Sequence, residues 1–226
     1  MQRRHFTTAG VAAVILLRAP GATAADVSNA DAASGIRAAL ERGATAAVGL
    51  LGRQDGFLGN PKVKIQLPGY LKDAARLAKV TGQQKRIDEL VTAMNRAAEA
   101  AVPEAKALLI AAVKSIGVSD ARRIVSGGEN SVTKFFASKT RKPLAERFLP
   151  IVTRETEKVD LAARYNALVG RAAGVGLLKS KDASIERYVT GKALDGLYLM
   201  IGEEEKKIRR DPVGTGSALL AKVFGK

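Results

Sequence analysis

The chain has 226 residues, with 37 lysines and arginines against 22 aspartates and glutamates, and therefore a formal net charge of +15. It contains no cysteine, and its single histidine, His5, lies near the N-terminus. After residue 24 these counts exclude disulfides, cysteine nucleophiles and Ser-His-Asp triads, and they leave only oxygen ligands for a metal ion. We therefore expect no cofactor and no metal site in the main part of the chain.

The first 24 residues have the three parts of an export signal. Arg3-Arg4-His5-Phe6 is a basic start, an apolar run extends from Val11 to Leu17, and Ala22-Thr23-Ala24 is a cleavage site. The paired arginines favour the twin-arginine route over the general secretory route, and the apolar run is too short to span a bilayer. We expect cleavage near Ala24, a periplasmic location and one domain from 25 to 226.

After the signal, apolar residues recur at helical spacing and almost no strand pattern occurs, which predicts an all-α bundle of about eight helices. The predicted helices cover residues 31–51, 69–80, 83–102, 103–116, 119–126, 130–137, 143–168, 192–209 and a C-terminal stretch from 215. Proline disfavours helix at the residue before it, so we expect Pro143 to open a helix and Pro150 to interrupt it. Ser184 is expected to cap a separate short turn that ends near Thr190, and Ser119 and Asp120 to cap the fifth helix.

Two connections separate these helices. Between the first and second, Gly56, Gly59 and Pro61 break the helical period, and polar and apolar residues then alternate from 62 to 67. This pattern predicts a loop with one extended piece. The second connection is a glycine-rich link from 170 to 176, which lacks the sequence pattern of a phosphate-binding loop.

The third predicted helix carries a polar group in an otherwise alanine-rich stretch. Asn95 and Glu99 lie one turn apart on one face, beside Arg96. Buried groups of this kind need hydrogen-bond partners. Two interpretations stay open: a brace that pins a loop, or the polar end of a pocket for a small hydrophobic or amphipathic ligand.

A basic stretch from Lys62 to Arg86 has seven lysines or arginines against one acid, Asp73. It predicts a surface that binds anionic lipid head groups or envelope glycans, and a merely soluble basic surface is the alternative. Nucleic acid is not an expected partner, since the chain has no tryptophan and 4% aromatic residues. The candidate anion-binding residues are Lys72, Arg76, Lys79, Lys85 and Arg86.

One motif suggests nucleophilic catalysis. Ser131-Val-Thr-Lys134 has the Ser-x-x-Lys spacing in which a lysine activates a serine, but the chain has no Ser-Asp-Asn element, and Lys139-Thr140-Arg141 is its nearest match to Lys-Thr-Gly. The pattern therefore favours Ser131 as a helix cap and Lys134 as a solvated charge.

Three consecutive glutamates, 203 to 205, could suggest a site for a hard metal ion. Glu203 to Lys207 and Glu205 to Arg209 are i,i+4 pairs, which favours a solvated helix face instead. An enzyme that uses the Ser131–Lys134 pair or carboxylates remains the alternative function. We assign no catalytic residue; the candidate carboxylates are Glu99, Asp195 and Glu204.

Several segments, in order, resemble one family of exported bacterial proteins. They are Asp55-Gly-Phe-Leu-Gly-Asn-Pro61, Met94-Asn-Arg-Ala-Ala-Glu99, Asp120-Ala with Gly127-Gly128, Phe148-Leu-Pro-Ile-Val152, Tyr188-Val-Thr-Gly-Lys-Ala-Leu-Asp-Gly-Leu197, Glu203-Glu-Glu205 and Ile208-Arg-Arg-Asp-Pro212. From about residue 36 to 225 the chain is similar to the family called domain of unknown function 4197. The resemblance implies an all-helical exported domain and brings no catalytic residues.

Together these features predict a periplasmic binding or envelope-associated module with a basic surface, and a hydrolase-like enzyme is the alternative. The sequence does not indicate an oligomeric state.

Overall fold

A computed structural model describes residues 29–161, 163–165 and 184–211. Within these ranges the chain is helical and contains no β-strand, which confirms the predicted all-α class. The predicted signal, the glycine-rich link and the C-terminal helix from 215 lie outside the described residues. No helix in the described ranges has the length and apolar character needed to cross a membrane.

The described part of the chain has seven α-helices, close to the predicted number. They are α1 Asn29–Leu51, α2 Lys72–Val80, α3 Gln84–Ala101, α4 Ala105–Lys114, α5 Val118–Ser126, α6 Ser131–Glu157 and α7 Ile185–Arg210. Single 3-10 turns, Gly69–Leu71 and Val102–Glu104, lead into α2 and α4.

Helix α6 runs without interruption through both Pro143 and Pro150. The prediction of two separate helices, with a start at Pro143 and a break at Pro150, is therefore wrong. Each proline costs about 3 kcal/mol in an isolated helix, so tertiary packing must stabilise α6 by more. Every fourth residue from 132 to 156 is buried, and this row winds about 40° per step around the helix, so α6 contacts several neighbours along its length.

Two further helix starts differ from the predictions. Helix α7 begins directly after Ser184, whose Oγ accepts a hydrogen bond from the Arg187 backbone N–H at 3.2 Å, and it continues through Thr190 without a separate turn. Helix α5 begins at Val118, and the Asp120 carboxylate accepts from the Gly117 N–H at 3.2 Å. Asp120 thus stabilises this helix start as expected, whereas Ser119 lies inside the helix.

The core lies between α1, α3, α4, α6 and α7, and the pair α6 and α7 shares the most extensive contact. A buried hydrogen bond crosses this pair at 2.9 Å, between Tyr198 Oη and Thr140 Oγ1. Because the Thr140 hydroxyl donates to the Phe136 carbonyl, the Tyr198 hydroxyl is the donor in the crossing bond. Burial raises the pKa of Tyr198, so this hydroxyl keeps its proton.

The loop from 52 to 68 packs against the second half of α3 and along α7 from Tyr188 to Glu203. Its alternation matches the prediction, because Val63, Ile65 and Leu67 are buried and the residues between them are exposed. The Phe57 ring is fully buried against α7 at Gly196, where an added Cβ would lie 2.7 Å from ring atom Cε1. The missing side chain at Gly196 therefore lets the loop approach the helix closely.

Replacing Gly196 by Ala tests this contact. We expect the variant to lose about 1 to 2 kcal/mol of unfolding free energy, because overpacking against a buried ring outweighs the gain in helix propensity. Gly191→Ala, in the same helix with open space around the added Cβ, should gain about 0.5 to 1 kcal/mol. Urea unfolding followed by circular dichroism measures both; equal effects of the two substitutions would contradict the packing argument.

Candidate functional site

Asn95 joins α3 to the extended part of the loop. Its side chain is fully buried, Oδ1 accepts from the Ile65 N–H at 2.8 Å, and Nδ2 donates to the Ile65 carbonyl at 2.9 Å. Nδ2 also donates to the Val91 carbonyl one turn earlier, at 2.7 Å. The amide thus pairs with both backbone groups of one loop residue, as a neighbouring strand would.

Glu99, one turn further along α3, holds the first part of the same loop. Its Oε1 accepts from the backbone N–H groups of Phe57 and Leu58, both at 3.0 Å. Its Oε2 accepts from Arg96 Nη1 at 2.7 Å, and Arg96 Nη2 donates to Asp55 Oδ1 at 2.8 Å. The hydrogen bond to Glu99 is the main cause of the raised pKa of Arg96.

These contacts form a brace between α3 and the loop, the first of the two interpretations drawn from the sequence. Both polar atoms of Asn95 and both carboxylate oxygens of Glu99 have partners within the chain. Arg96 also lines a surface cavity of about 480 Å³ between α3 and the end of α6, which Asn95 and Glu99 do not line. Ligand binding at Asn95, Arg96 and Glu99 stays a prediction. Of these three residues, Arg96 is the one that lines this cavity.

A second polar network surrounds Glu205 of α7; the sequence predicted its pair with Arg209 but not its burial or its contacts with α6. Glu205 is 4% exposed, and its carboxylate accepts from the backbone N–H groups of Val132 and Thr133 at the start of α6, each at 3.3 Å. Arg209 pairs with the same carboxylate at 2.9 Å. A negative charge at a helix N-terminus is favourable because it accepts from unpaired N–H groups. Glu205 therefore caps α6 from the neighbouring helix.

The prediction that the three glutamates form a solvated helix face is wrong for Glu205, which is buried. For Glu203 and Glu204 the ion pairs differ from the predicted ones. Glu203 pairs with Lys62 at 2.5 Å, and the hydrogen bond from that lysine lowers the pKa of Glu203. Lys207, the predicted partner of Glu203, pairs with Glu204. One signal in the sequence could have revealed the burial, since Glu205 lies four residues after Ile201 and three before Ile208, on an apolar stripe.

Ser131 belongs to this network. Its Oγ donates to the Ile124 carbonyl at 2.8 Å, accepts from Arg209 Nη2 at 2.7 Å and lies 3.3 Å from Glu205 Oε1. Lys134 is not among its hydrogen-bond partners, although both residues line a cavity of about 370 Å³. The hydroxyl ties the start of α6 to the end of α5 and does not have the serine–lysine hydrogen bond that nucleophilic activation needs.

The candidate carboxylates do not form a cluster. Glu99 is part of the brace, Glu204 pairs with Lys207, and Asp195 pairs with Arg141 at 2.5 Å. In the part of the chain that the structure describes, no group of three or more acidic side chains is arranged to hold a metal ion.

The five basic candidates are all exposed. Lys72, Arg76 and Lys79 recur at i, i+4 and i+7 on α2, where they line a groove of about 340 Å³ between α2 and α3. Its other lining residues are Gln66, Leu67, Ala75, Gln84, Ile87 and Val91. We call this the α2–α3 groove. Lys85 and Arg86 begin α3 beside it.

Comparison with known families gives one match. The model of a family described as protein of unknown function, DUF4197, matches residues 26–225. The chain belongs to the DUF4197 family. No curated protein and no solved structure matches it.

The family assignment confirms the resemblance that the sequence motifs indicated. In this DUF4197 protein two of those motifs, Asp55–Pro61 and Met94–Glu99, contribute the two sides of the brace. A third, Glu203–Glu205, contributes the carboxylate that caps α6. The motifs that carried the resemblance thus include Asn95, Arg96 and Glu99 of the brace and Glu205 and Arg209 of the α6 cap.

Exchanging the amide of Asn95 for a carboxylate tests the brace. In Asn95→Asp an oxygen would face the carbonyls of Ile65 and Val91, so we expect a loss of about 3 kcal/mol in unfolding free energy. The same exchange at exposed Asn130, which precedes α6, should change stability by less than about 0.5 kcal/mol. Urea unfolding gives both values, and a loss below about 1 kcal/mol for Asn95→Asp would contradict the proposed geometry.

Neighbouring glutamates of α7 allow a matched test of the α6 cap. Glu205→Ala removes the acceptor of two backbone N–H groups and leaves Arg209 unpaired on that side, so we expect a loss of about 3 kcal/mol. Glu204→Ala removes one surface ion pair and should cost less than about 0.5 kcal/mol. Thermal and urea unfolding distinguish the two; similar losses would show that the carboxylate does not cap α6.

Proposed function

We propose that this DUF4197 protein is an exported helical module that docks on the anionic lipid surface of the cell envelope through α2 and the start of α3. The observation that carries the proposal is the exposure of Lys72, Arg76, Lys79, Lys85 and Arg86 on these two adjoining segments. The buried carboxylates Glu99 and Glu205 accept hydrogen bonds inside the fold, whereas these cations lie at the surface, where an outside partner can reach them.

The spacing of the cations suits a planar charged surface. Lys72, Arg76 and Lys79 lie on successive turns of one helix face, over about 10 Å of helix length. Each lysine or arginine near an anionic membrane contributes about 1 kcal/mol. Three such residues on one face therefore provide about 3 kcal/mol, and Lys85 and Arg86 extend the charged area along the chain.

An apolar side chain at the end of α2 favours lipid over glycan as the partner. Val80, next to Lys79, is 85% exposed. Cations beside an exposed apolar group are typical of helices that lie in the membrane interface, where the apolar group enters the boundary between head groups and acyl chains. A soluble glycan offers no comparable environment for Val80.

Export places such a module next to its partner. The export signal predicted in residues 1–24 and the family match that begins at residue 26 support a division into a signal and a separate domain. On this proposal the signal is removed near Ala24 and the helical domain acts in the periplasm, where anionic head groups of the envelope are accessible.

Vesicle binding by the exported protein tests this function. We expect binding to phosphatidylglycerol-containing vesicles at low salt and little binding to pure phosphatidylcholine vesicles, measured by co-sedimentation. The triple variant Lys72→Gln, Arg76→Gln, Lys79→Gln should lower the partition coefficient about 100-fold, which corresponds to about 3 kcal/mol. Binding should also weaken as salt rises, because ions screen the attraction.

A control variant removes the same charge elsewhere. Lys106→Gln, Lys114→Gln, Lys142→Gln changes three exposed lysines of α4 and α6 and should lower the partition coefficient less than fivefold. Equal losses in both triple variants would mean that net charge, not the α2 face, determines binding. Binding to anionic glycans without binding to vesicles would replace the lipid surface by a glycan.

A further inference from the structure

The floor of the α2–α3 groove is apolar and continuous with the core. Leu67 belongs to the buried cluster, and Ala75, Ile87 and Val91 are partly buried against it. Ile87 and Val91 lie one turn apart on α3, so their side chains form a short row along the groove. An apolar row of this kind suits a hydrocarbon chain laid along α3.

The charged residues that line the groove have one sign. Lys72, Arg76 and Lys79 line it, and no aspartate or glutamate does. The other two cavities described above differ in this respect. The 480 Å³ cavity is lined by three carboxylates, two of them in ion pairs with Arg164 and Lys158, and the 370 Å³ cavity is lined by Asp120. Of these three cavities, the α2–α3 groove is therefore the one whose lining combines cations with no carboxylate.

The size of the groove limits the ligand to one chain. Its volume of about 340 Å³ lies at the lower end of the range for small-molecule sites, about 300 to 1,000 Å³. A lipid with two acyl chains would exceed this space. A single chain with a compact anionic head group fits the apolar floor and the cationic edge together.

We propose that the α2–α3 groove binds a fatty acid anion, with the acyl chain on Ala75, Ile87 and Val91 and the carboxylate at the cations of α2. The inference rests on the proposed function, because the same cations face the membrane from which the fatty acid would come. The inferred site gives the proposed membrane-docking surface a defined ligand. The protein would then bind one fatty acid at the envelope.

Calorimetric titration of the exported protein with dodecanoate, below its micelle concentration and without vesicles, tests the inference. We expect one binding site. Binding should weaken about fourfold for each methylene removed from the chain, provided that the methylene is buried. Dodecyltrimethylammonium, a cation with the same chain, should bind at least 10-fold more weakly. Absence of dodecanoate binding, or equal binding of the cation, would overturn the inference.

Three variants separate this inference from the proposed function. Ala75→Phe fills the floor without changing charge, and it should weaken dodecanoate binding at least 10-fold while vesicle binding persists. Lys85→Gln, Arg86→Gln lies outside the groove lining, and it should weaken vesicle binding while dodecanoate binding persists. Lys72→Glu, Lys79→Glu changes two exposed residues and should reverse the preference towards dodecyltrimethylammonium.

Each result has a distinct reading. Unchanged dodecanoate affinity in Ala75→Phe, in protein whose circular dichroism matches the parent, would overturn the groove as the site. If the unmodified protein binds dodecanoate but not vesicles, the docking function is overturned and the groove is supported as a fatty acid site. Vesicle binding without dodecanoate binding would overturn the groove and support docking.

Discussion

The described fold depends on hydrogen bonds to the backbone of the loop between α1 and α2, because the side chains of this loop enter the core. Phe57, Ile65 and Leu67 are buried, and a backbone that follows them inward loses its hydrogen bonds to water. Asn95 and Glu99 replace those bonds from a single face of α3. The position of Leu67, and with it part of the floor of the α2–α3 groove, follows from this brace.

Backbone N–H groups also need side-chain partners at the start of α6. There the unpaired N–H groups of Val132 and Thr133 meet the buried carboxylate of Glu205 on α7. Both networks place a carboxylate where backbone donors would otherwise lack partners, and both pair it with an arginine near the surface. A core without cysteine or histidine is thus held in register by packing and by these two polar contacts.

The buried carboxylates and Ser131 are engaged within the fold. Glu99 and Glu205 have the burial that often marks catalytic acids, but their oxygens already accept hydrogen bonds from the backbone. Ser131 is engaged in the same way. The exposed cations of α2 and the start of α3, together with the apolar groove beside them, lie at the surface, and the proposed function assigns binding to them.

The sequence by itself determined the helical class, the alternating loop, the two alternatives of brace or pocket at Asn95 and Glu99, and the basic segment. Each depends on local composition or on a period of 2 or 3.6 residues. Only the tertiary structure decided that α6 continues through Pro143 and Pro150, that Glu205 is buried, and that Lys72, Arg76 and Lys79 border an apolar groove. These features arise from contacts between segments far apart in the chain, where packing energy exceeds the local cost of a proline or a buried charge.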